Sequence, residues 1–234
     1  MPAPTFTLII PAAGSGKRMG SETPKPFLKL GDKTVLEHTI ARFLEVEGLQ
    51  QIVISTSENY LEYTRKKLTG ISDGHEIVVV EGGKERQDSI RNALTEVRKD
   101  IQLVAVHDAV RPFIDKSVIQ NCLEKADQSG AAIVAIRVKD TIKLVKTGHT
   151  ISETPKRKYL WQAQTPQIFR RELITKAYKF AAETKFTGTD DASLIENFGH
   201  EVLVVEGNNQ NFKLTYPFDF KIAEALVSVK EEPK

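Results

Sequence analysis

The sequence predicts an α/β fold, in which a doubly wound, mostly parallel sheet carries helices on both faces. Three observations support this prediction. Short runs rich in β-branched residues alternate with amphipathic stretches, the stretches are long enough for right-handed crossovers, and no repeat, low-complexity tract or linker interrupts the alternation. We therefore expect a single domain covering residues 1–234.

Apolar runs mark the strands of this sheet. In chain order the predicted strands are TFTLII, QIVIST, EIVVVE, LVAVHD and AAIVAI. Helices are predicted where apolar residues recur at helical spacing, as they do in VLEHTIARFLEV, SVIQNCLEKA and FDFKIAEALVSV. Cys122 falls on the apolar side of the second of these helices, so we expect a buried packing thiol rather than a nucleophile.

Residues 138–160 break the alternation and predict a β-hairpin that projects from the domain. Apolar residues alternate with polar ones around the turn signal KTGH, and the basic cluster KRK follows. Two strands bury too little surface to be stable alone. We therefore expect this arm to pack against a second copy of the chain in a homodimer, with folding back onto its own domain as the alternative.

The composition argues against several classes of partner. Lys and Arg number 33 against 31 Asp and Glu, a formal net charge of +2, and KRK has no extended basic face around it, so no nucleic acid is expected. No His/Cys pair has metal-ligand spacing, and no apolar run approaches the ~20 residues that span a bilayer. With one cysteine and no targeting segment, we expect a cytoplasmic protein without a membrane partner.

The segment PAAGSGKRMG, residues 11–20, follows the first predicted strand. Its glycines leave one residue too many for the dinucleotide fingerprint G-x-G-x-x-G. Pro11 and Arg18 stand where a Walker A loop needs glycine and Ser or Thr. The segment is therefore neither motif, but it lies at the carboxyl end of a strand, where open α/β sheets bind ligands.

Cations in and after this loop favour phosphate as its ligand. Lys17, Arg18 and Lys25 bring three positive charges close together, and small residues let backbone N–H groups approach an anion. We infer a polyphosphate-binding loop, with an ordinary solvated turn as the alternative.

Several motifs together resemble a known enzyme family. PAAGSGKRMG followed by PKPFLKLGDKTVLEHTI is similar to the signature of nucleotidylyltransferases. GGKERQDSI, HDAVRPF, LWQAQTPQIF, GTDDASL and NFKLTYPFD then follow in the order and spacing of the 2-C-methyl-D-erythritol 4-phosphate cytidylyltransferase family. The resemblance runs from about residue 6 to residue 228.

This resemblance implies a Rossmann-like nucleotidyltransferase fold with a protruding β-arm. It also implies transfer of CMP from CTP to 2-C-methyl-D-erythritol 4-phosphate, with release of pyrophosphate, in non-mevalonate isoprenoid precursor synthesis. Ribitol-5-phosphate cytidylyltransferases share the fold, the loop and HDAVRPF, so ribitol 5-phosphate is the alternative acceptor. A non-catalytic nucleotide-binding dimer is the alternative outside the enzyme class.

The resemblance further implies which cations act. Because the attacking phosphate oxygen is already an anion, no base has to remove a proton, and cations are expected to do the catalytic work. By position in the family motifs, Arg18 and Lys25 are expected to hold the triphosphate. Lys213 and Arg157 are expected to hold the acceptor's phosphate, with Arg157 contributed across the dimer interface. Mg²⁺ is the implied cofactor and is expected to bridge the phosphates.

Other matched positions are expected to line the two substrate sites. The nucleotide-binding set is Pro11, Ala12, Ala13, Gly14, Ser15, Gly16, Gly83, Lys84, Arg86, Ser89, Asp108 and Ala109. The acceptor-binding set is Asp108, Arg111, Thr141, Arg157, Thr165, Thr189, Asp190 and Lys213. Its threonine hydroxyls suit a polyhydroxylated substrate as donors. Asp108 is also the candidate metal ligand. Lys84 departs from the acidic residue often found at its position in the family, which affects only that side-chain contact.

Structural roles are the alternatives for some of these residues. Asp88, beside the nucleotide set, is equally suited to capping the helix that begins there, as is Thr189 or Asp190 for the helix over ASLIENF. Asp108 and Arg111 could form a structural ion pair at the end of their strand.

Overall fold

The computed structural model describes residues 3–14, 23–71 and 74–231. The strands are β1 (Phe6–Pro11), β2 (Lys29–Leu30), β3 (Lys33–Thr34), β4 (Leu49–Thr56), β5 (Glu76–Glu81), β6 (Leu103–Val106), β7 (Ala131–Arg137), β8 (Leu144–Val145), β9 (Ile151–Glu153), β10 (Trp161–Arg170) and β11 (Leu203–Glu206). The helices are α1 (Val35–Leu44), α2 (Leu61–Leu68), α3 (Arg86–Leu94), α4 (Lys116–Ser129), α5 (Arg171–Glu183), α6 (Asp191–Asn197) and α7 (Pro217–Glu231).

The central sheet has the order β11-β7-β10-β6-β1-β4-β5. β1 runs parallel to β4 and β6, β4 to β5, and β7 to β11, whereas β10 is antiparallel to both of its neighbours. The chain moves outward from β1 to β4 and β5, then returns to place β6 on the other side of β1. The strand order therefore reverses between β1 and β6, and a ligand crevice is expected at their carboxyl ends.

Helices cover both faces of the sheet, as the sequence predicts. Leu8 and Ile10 of β1 pack in one apolar cluster with residues of α1 and α4. Ile9 points to the opposite face and packs in a second cluster with residues of α3, α5 and α6. The central residues of β1, β4 and β6 are apolar because both faces of these strands are buried there.

Local signals set the limits of the helices. The Thr34 hydroxyl accepts a hydrogen bond from the Glu37 N–H, and the Glu37 carboxylate accepts one from the Thr34 N–H, so a capping box begins α1. α4 ends at Gly130, whose φ of 92° is favourable only for glycine. α7 buries Ala223 against Leu214 in a third apolar cluster, which fixes the chain just before that helix.

All five predicted strands and all three predicted helices are present, so the α/β fold class is confirmed. The sequence analysis did not identify β10 and β11 as strands. β10 reads WQAQTPQIFR, and polar residues interrupt its apolar pattern although Gln164 and Gln167 are buried. Side-chain hydrogen bonds satisfy these amides inside the protein, which is why a strand forms without an apolar run.

The predicted hairpin is also present. β8 and β9 pair as a separate antiparallel ribbon, and their turn contains Gly148 and His149 at positive φ. Leu144, Val145 and Ile151 on this ribbon are about half exposed, at 55%, 49% and 56%. Within residues 3–14, 23–71 and 74–231, no helix is both long and apolar enough to cross a membrane.

Candidate active site

Two loops meet at the point where the strand order reverses. Residues 12–14 follow β1, and Asp108 and Ala109 follow β6. Since β1 and β6 are parallel, these segments leave the same edge of the sheet. The Ala12 N–H donates to the Ser55 carbonyl of β4, which holds the start of the first loop against the sheet.

The larger of two adjoining pockets lies at this edge, with a volume of about 530 Å³. It contains most of the predicted nucleotide-binding residues and two predicted catalytic lysines. These residues are Pro11, Ala12, Ala13, Gly14, Lys25, Gly83, Lys84, Arg86, Ser89, Asp108, Ala109 and Lys213. The structure therefore brings all of these positions together around one pocket.

The smaller pocket has a volume of about 270 Å³ and contains predicted acceptor-binding residues. These are Asp108, Arg111, Thr165, Thr189, Asp190 and Lys213. Arg86, Asp108 and Lys213 line both pockets, so they form the boundary between them. Two ligands could thus approach each other across these three side chains.

Asp108 is the electrostatic centre of this boundary. Its carboxylate lies 3.0 Å from Lys213 Nζ, 3.2 Å from Arg111 Nε and 3.4 Å from Arg86 Nε. Burial by itself would raise the pKa of Asp108. The positive charges of Lys213, Arg86 and Arg111 lower it by more, so the pKa lies far below its usual value. Asp108 is therefore ionised at any physiological pH. The ion pair with Arg111, an alternative at the sequence level, is formed.

The cations around Asp108 differ in how accessible they are. Lys213 is the most open, with its side chain 42% exposed, whereas the Arg111 side chain is 12% exposed. Arg111 is further held by a hydrogen bond from its Nη1 to the Asn211 carbonyl, at 2.7 Å. Lys213 is thus the side chain that can turn to a bound phosphate at the least cost.

Lys25 also lines the larger pocket. Lys25 stands between Pro24 and Pro26 and begins the short 3-10 helix Lys25–Phe27. Its side chain is buried. Its Nζ donates to the Thr215 carbonyl at 2.5 Å, which joins this segment to the chain after Lys213. Lys25 is therefore not a solvated surface lysine, since it is only 8% exposed.

The loop between β5 and α3 forms a further part of this pocket's lining. A side chain at Gly82 would meet Ala13 Cβ at 2.4 Å, and one at Gly83 would meet Asp88 Cβ at 2.2 Å. The Ser89 hydroxyl accepts from the Gly83 N–H and donates to the Glu85 carbonyl. Glycine at position 82 allows the loop to pack closely against the loop after β1, and glycine at position 83 allows it to pack against the first turn of α3.

Capping, the structural alternative, is present at both predicted helix starts. The Asp88 carboxylate accepts from the Glu85 N–H at the start of α3. Asp190 caps α6, because its carboxylate accepts from the Ser193 N–H and also from Gln167 Nε2. Asp190 lines the smaller pocket nevertheless, so capping and ligand contact are compatible there.

Thr165 lines the smaller pocket, but its hydroxyl does not have a free proton for a substrate. Its Oγ1 accepts from the Asp108 N–H at 3.0 Å and lies 3.1 Å from His107 Nδ1. His107 Nε2 faces the Arg111 carbonyl, which can only accept, so Nε2 carries the proton and Nδ1 accepts from Thr165. Towards a polyol the Thr165 hydroxyl is therefore an acceptor, not the donor expected from the sequence.

The same geometry makes His107 a source of acid sensitivity. Burial lowers the pKa of His107 from 6.5 to about 4. Between these values the unfolded chain binds a proton that the folded chain does not, so stability falls as the pH falls through this window.

We expect the protein to lose about 3 kcal/mol of unfolding free energy between pH 7 and pH 4 through His107. The variant His107→Gln should be less stable at pH 7 but should lose less stability on acidification. Urea unfolding at several pH values measures this difference, and carboxylates that titrate in both proteins cancel. Equal acid losses in the two proteins would contradict the assignment.

Two predicted acceptor-binding residues lie outside both pockets. Thr141 and Arg157 are exposed in the arm, and Arg157 Nη1 donates to the Lys139 carbonyl at 2.6 Å. Ser15, Gly16, Lys17 and Arg18 lie outside the described residues, so their predicted roles stay predictions.

The surroundings of Asp108 do not fit a metal ligand. A divalent cation bound there would meet three positive side chains that already contact the carboxylate. Over the described part of the chain, no group of three or more His, Cys, Asp or Glu side chains could hold a metal ion. A metal at this site would therefore need other oxygen ligands, and phosphate oxygens are the obvious ones.

Several residues around the smaller pocket were not identified from the sequence. Gln164 and Gln167 of β10 line it, and Asp191 and Tyr178 lie directly behind Arg86. The glutamines within LWQAQTPQIF and the second aspartate of GTDDASL are the available signals. Neither signal indicates burial, because a polar residue gives no sign in the sequence that its partners are present.

Sequence comparisons with known proteins point to a single family. The family model described as 2-C-methyl-D-erythritol 4-phosphate cytidylyltransferase matches residues 6–229. A Syntrophotalea carbinolica protein of that name is 44% identical over 222 residues, which cover 94% of this chain and 95% of that protein. One from Clostridioides difficile is 39% identical over 226 residues, covering 97% and 95%.

Solved structures give the same result. The structure of 4-diphosphocytidyl-2C-methyl-D-erythritol synthase from Anaerococcus prevotii superposes with a TM-score of 0.85 at 30% identity, over 96% of each chain. The structure of 2-C-methyl-D-erythritol 4-phosphate cytidylyltransferase from Thermus thermophilus superposes with a TM-score of 0.78 at 32% identity, over 97% of this chain and all of that one. The motifs, the fold and these relatives agree, and the chain belongs to the 2-C-methyl-D-erythritol 4-phosphate cytidylyltransferase family.

Proposed function

We propose that this cytidylyltransferase binds CTP in the larger pocket and 2-C-methyl-D-erythritol 4-phosphate in the smaller one. It transfers CMP to the acceptor and releases pyrophosphate, with 4-diphosphocytidyl-2-C-methyl-D-erythritol as the product. The observation that carries this proposal is the shared boundary of the pockets, where Arg86, Asp108 and Lys213 line both. A site that joins two phosphorylated substrates needs such a boundary.

The charges at the boundary suit the reaction. Two polyanions repel each other, and charge develops at the α-phosphorus of CTP as the acceptor oxygen attacks. Lys213 lines both pockets, and Lys25 lines the larger one. Cations held in place before the reaction stabilise the developing charge without reorganising, which is the main form of catalysis such a site can supply.

Asp108 positions the cations rather than receiving a proton. Its low pKa and its three ion pairs keep it ionised, so it cannot serve as a general base at neutral pH. None is needed, because the acceptor phosphate is already an anion. Asp108 instead holds Lys213 and Arg111 near the acceptor until substrate phosphate competes for Lys213.

Magnesium is part of the proposal as an ion held by the triphosphate oxygens and water. This ion prefers oxygen ligands and retains several waters, so it would neutralise phosphate charge without a dedicated protein ligand. The surroundings of Asp108 support this arrangement over direct binding to the carboxylate.

The proposed active form is a homodimer. The hairpin β8–β9 exposes apolar residues that a second copy could cover, and Arg157 lies outside the pockets of its own chain. Arg157 of one copy would then reach the acceptor phosphate in the other copy. We also place the protein in the cytoplasm, which is consistent with its single buried cysteine.

An acceptor assay tests the proposed reaction. Purified protein is incubated with CTP and Mg²⁺ together with 2-C-methyl-D-erythritol 4-phosphate or ribitol 5-phosphate, and pyrophosphate release is measured. We expect release with the methylerythritol phosphate and little with ribitol phosphate. Release with ribitol phosphate alone would overturn the acceptor, and CTP binding without release in either arm would favour a non-catalytic dimer.

A further inference from the structure

A buried acidic residue lies behind the boundary of the two pockets. Asp191, in the first turn of α6, is fully buried, and neither pocket includes it. It is not the cap of α6, since Asp190 fills that position. Removing a carboxylate from water is costly, so a buried one that caps no helix needs specific partners.

Asp191 has two such partners, one on each carboxylate oxygen. Its Oδ2 accepts from Arg86 Nη2 at 2.7 Å, and its Oδ1 accepts from the Tyr178 hydroxyl at 2.5 Å. Burial, and then the neighbouring Asp191 carboxylate, raise the pKa of Tyr178, so the phenol keeps its proton and remains the donor. Tyr178 lies on α5 and is itself 3% exposed.

Arg86 connects this buried pair to the reaction site. Its Nε lies 3.4 Å from Asp108, whereas its Nη2 lies 2.7 Å from Asp191. The stronger contact of Arg86 is therefore with the buried residue and not with the residue in the pocket. A single guanidinium thus spans α6 and the end of β6 and forms part of both pockets.

The contact between Arg86 and Asp191 affects the ion pairs of Asp108. Arg86 Nε faces Oδ1 of Asp108, whereas Lys213 Nζ and Arg111 Nε both face Oδ2. Without the charge of Asp191, Arg86 would be free to pair more closely with Asp108 and to draw its carboxylate away from Lys213. With Asp191 present, Arg86 is drawn back, and Lys213 keeps the shortest contact with Asp108, at 3.0 Å. The buried Asp191 carboxylate therefore influences the position of the Lys213 side chain.

We propose that Asp191 and Tyr178 are positioning residues for the transfer reaction, which hold the Arg86 guanidinium at the boundary of the two pockets and so keep Lys213 paired with Asp108. The proposal rests on the proposed function. It assigns the pair no contact with substrate, and their effect is transmitted through Arg86 alone.

Steady-state kinetics of Tyr178→Phe and Asp191→Asn test this assignment. We expect Tyr178→Phe to lower kcat/KM for the acceptor about 5-fold and Asp191→Asn about 30-fold. Ile174→Val is the matched control, because Ile174 is a fully buried residue on the same helix that packs in the apolar cluster. It should reduce melting temperature with little change in kcat/KM.

Tyr178→Phe removes one oxygen and retains the ring, so it keeps the test decisive if Asp191→Asn fails to fold. Losses of kcat/KM no larger than that of Ile174→Val would overturn the proposal.

A double-mutant cycle separates positioning from general stability. In an Arg86→Gln background, Tyr178→Phe should change acceptor kcat/KM by less than about 1.5-fold, because the residue it acts through is absent. A further loss of about 5-fold in that background would show that Tyr178 acts by another route and would overturn the proposal. Wild-type protein that fails to release pyrophosphate from CTP and the methylerythritol phosphate would instead refute the proposed function, so the two failures are distinguishable.

Discussion

Replacing Lys213 by glutamine is expected to lower kcat/KM for the acceptor by about 10²- to 10³-fold. Lys213 is the most exposed of the three cations at Asp108 and lines both pockets, so it is the one that can bind the acceptor phosphate as the transition state forms. KM for CTP should change less, because many other residues line that pocket, among them those of the loops after β1 and β5.

The fold should tolerate this change. The Lys213 side chain is 42% exposed, and Asp108 retains Arg86 and Arg111 when Lys213 is removed. Lys179→Gln is the matched control, since this lysine lies on the outer surface of α5 with its side chain 78% exposed and only a 3.9 Å contact to Glu183. A loss below about 5-fold for Lys213→Gln, in a protein that melts like the wild type, would remove Lys213 from the proposed mechanism.

Co-expression of two inactive variants is expected to restore activity. Arg157→Gln and Lys213→Gln each damage both sites of a homodimer when present alone. In the proposed homodimer, Arg157 and Lys213 of one chain would serve different sites, so one site of a mixed dimer would take both substitutions and the other would take neither. Random pairing of co-expressed chains makes half of the dimers mixed, so about a quarter of wild-type activity should return.

Isolation of the mixed dimer through two different affinity tags makes the result decisive. The isolated mixed dimer should have about half of the wild-type activity per dimer. Absence of recovery in that species would show that Arg157 acts within its own chain, despite its position outside both pockets. Full activity of Arg157→Gln alone would show that this arginine is not needed for the reaction.

The parallel half of the fold could be predicted because its residues carry strong local signals. A strand buried on both faces must be apolar almost throughout, as Ile9 and Val53 illustrate, so each such strand is recognisable alone. Small residues and cations after β1 predict an anion site in the same way. Residues 12–14 of that loop do line the larger pocket, whereas residues 15–22 lie outside the described part of the chain.

The antiparallel strand β10 could not be predicted, because its polar residues depend on distant partners. Gln167 is 1% exposed and is satisfied by Asp190 and the Ala192 N–H, both from the start of α6. Because β10 runs against β6, its early residues lie at the carboxyl edge of β6, where Thr165 meets Asp108. The strand order and direction, and not the residues of β10, place that wall of the smaller pocket.

The sequence by itself determined the α/β class, the strand ends at which the pockets lie and the residue types that line them. Periodicity and strand-end motifs are properties of neighbouring residues, so they can be read along the chain. Only the tertiary structure decided that Arg86 pairs with Asp191 as well as with Asp108, that Thr165 donates its proton to His107, and that Arg157 lies outside the pockets of its own chain. The charge state and hydrogen-bond role of a side chain depend on which groups surround it, and the fold alone brings those groups together.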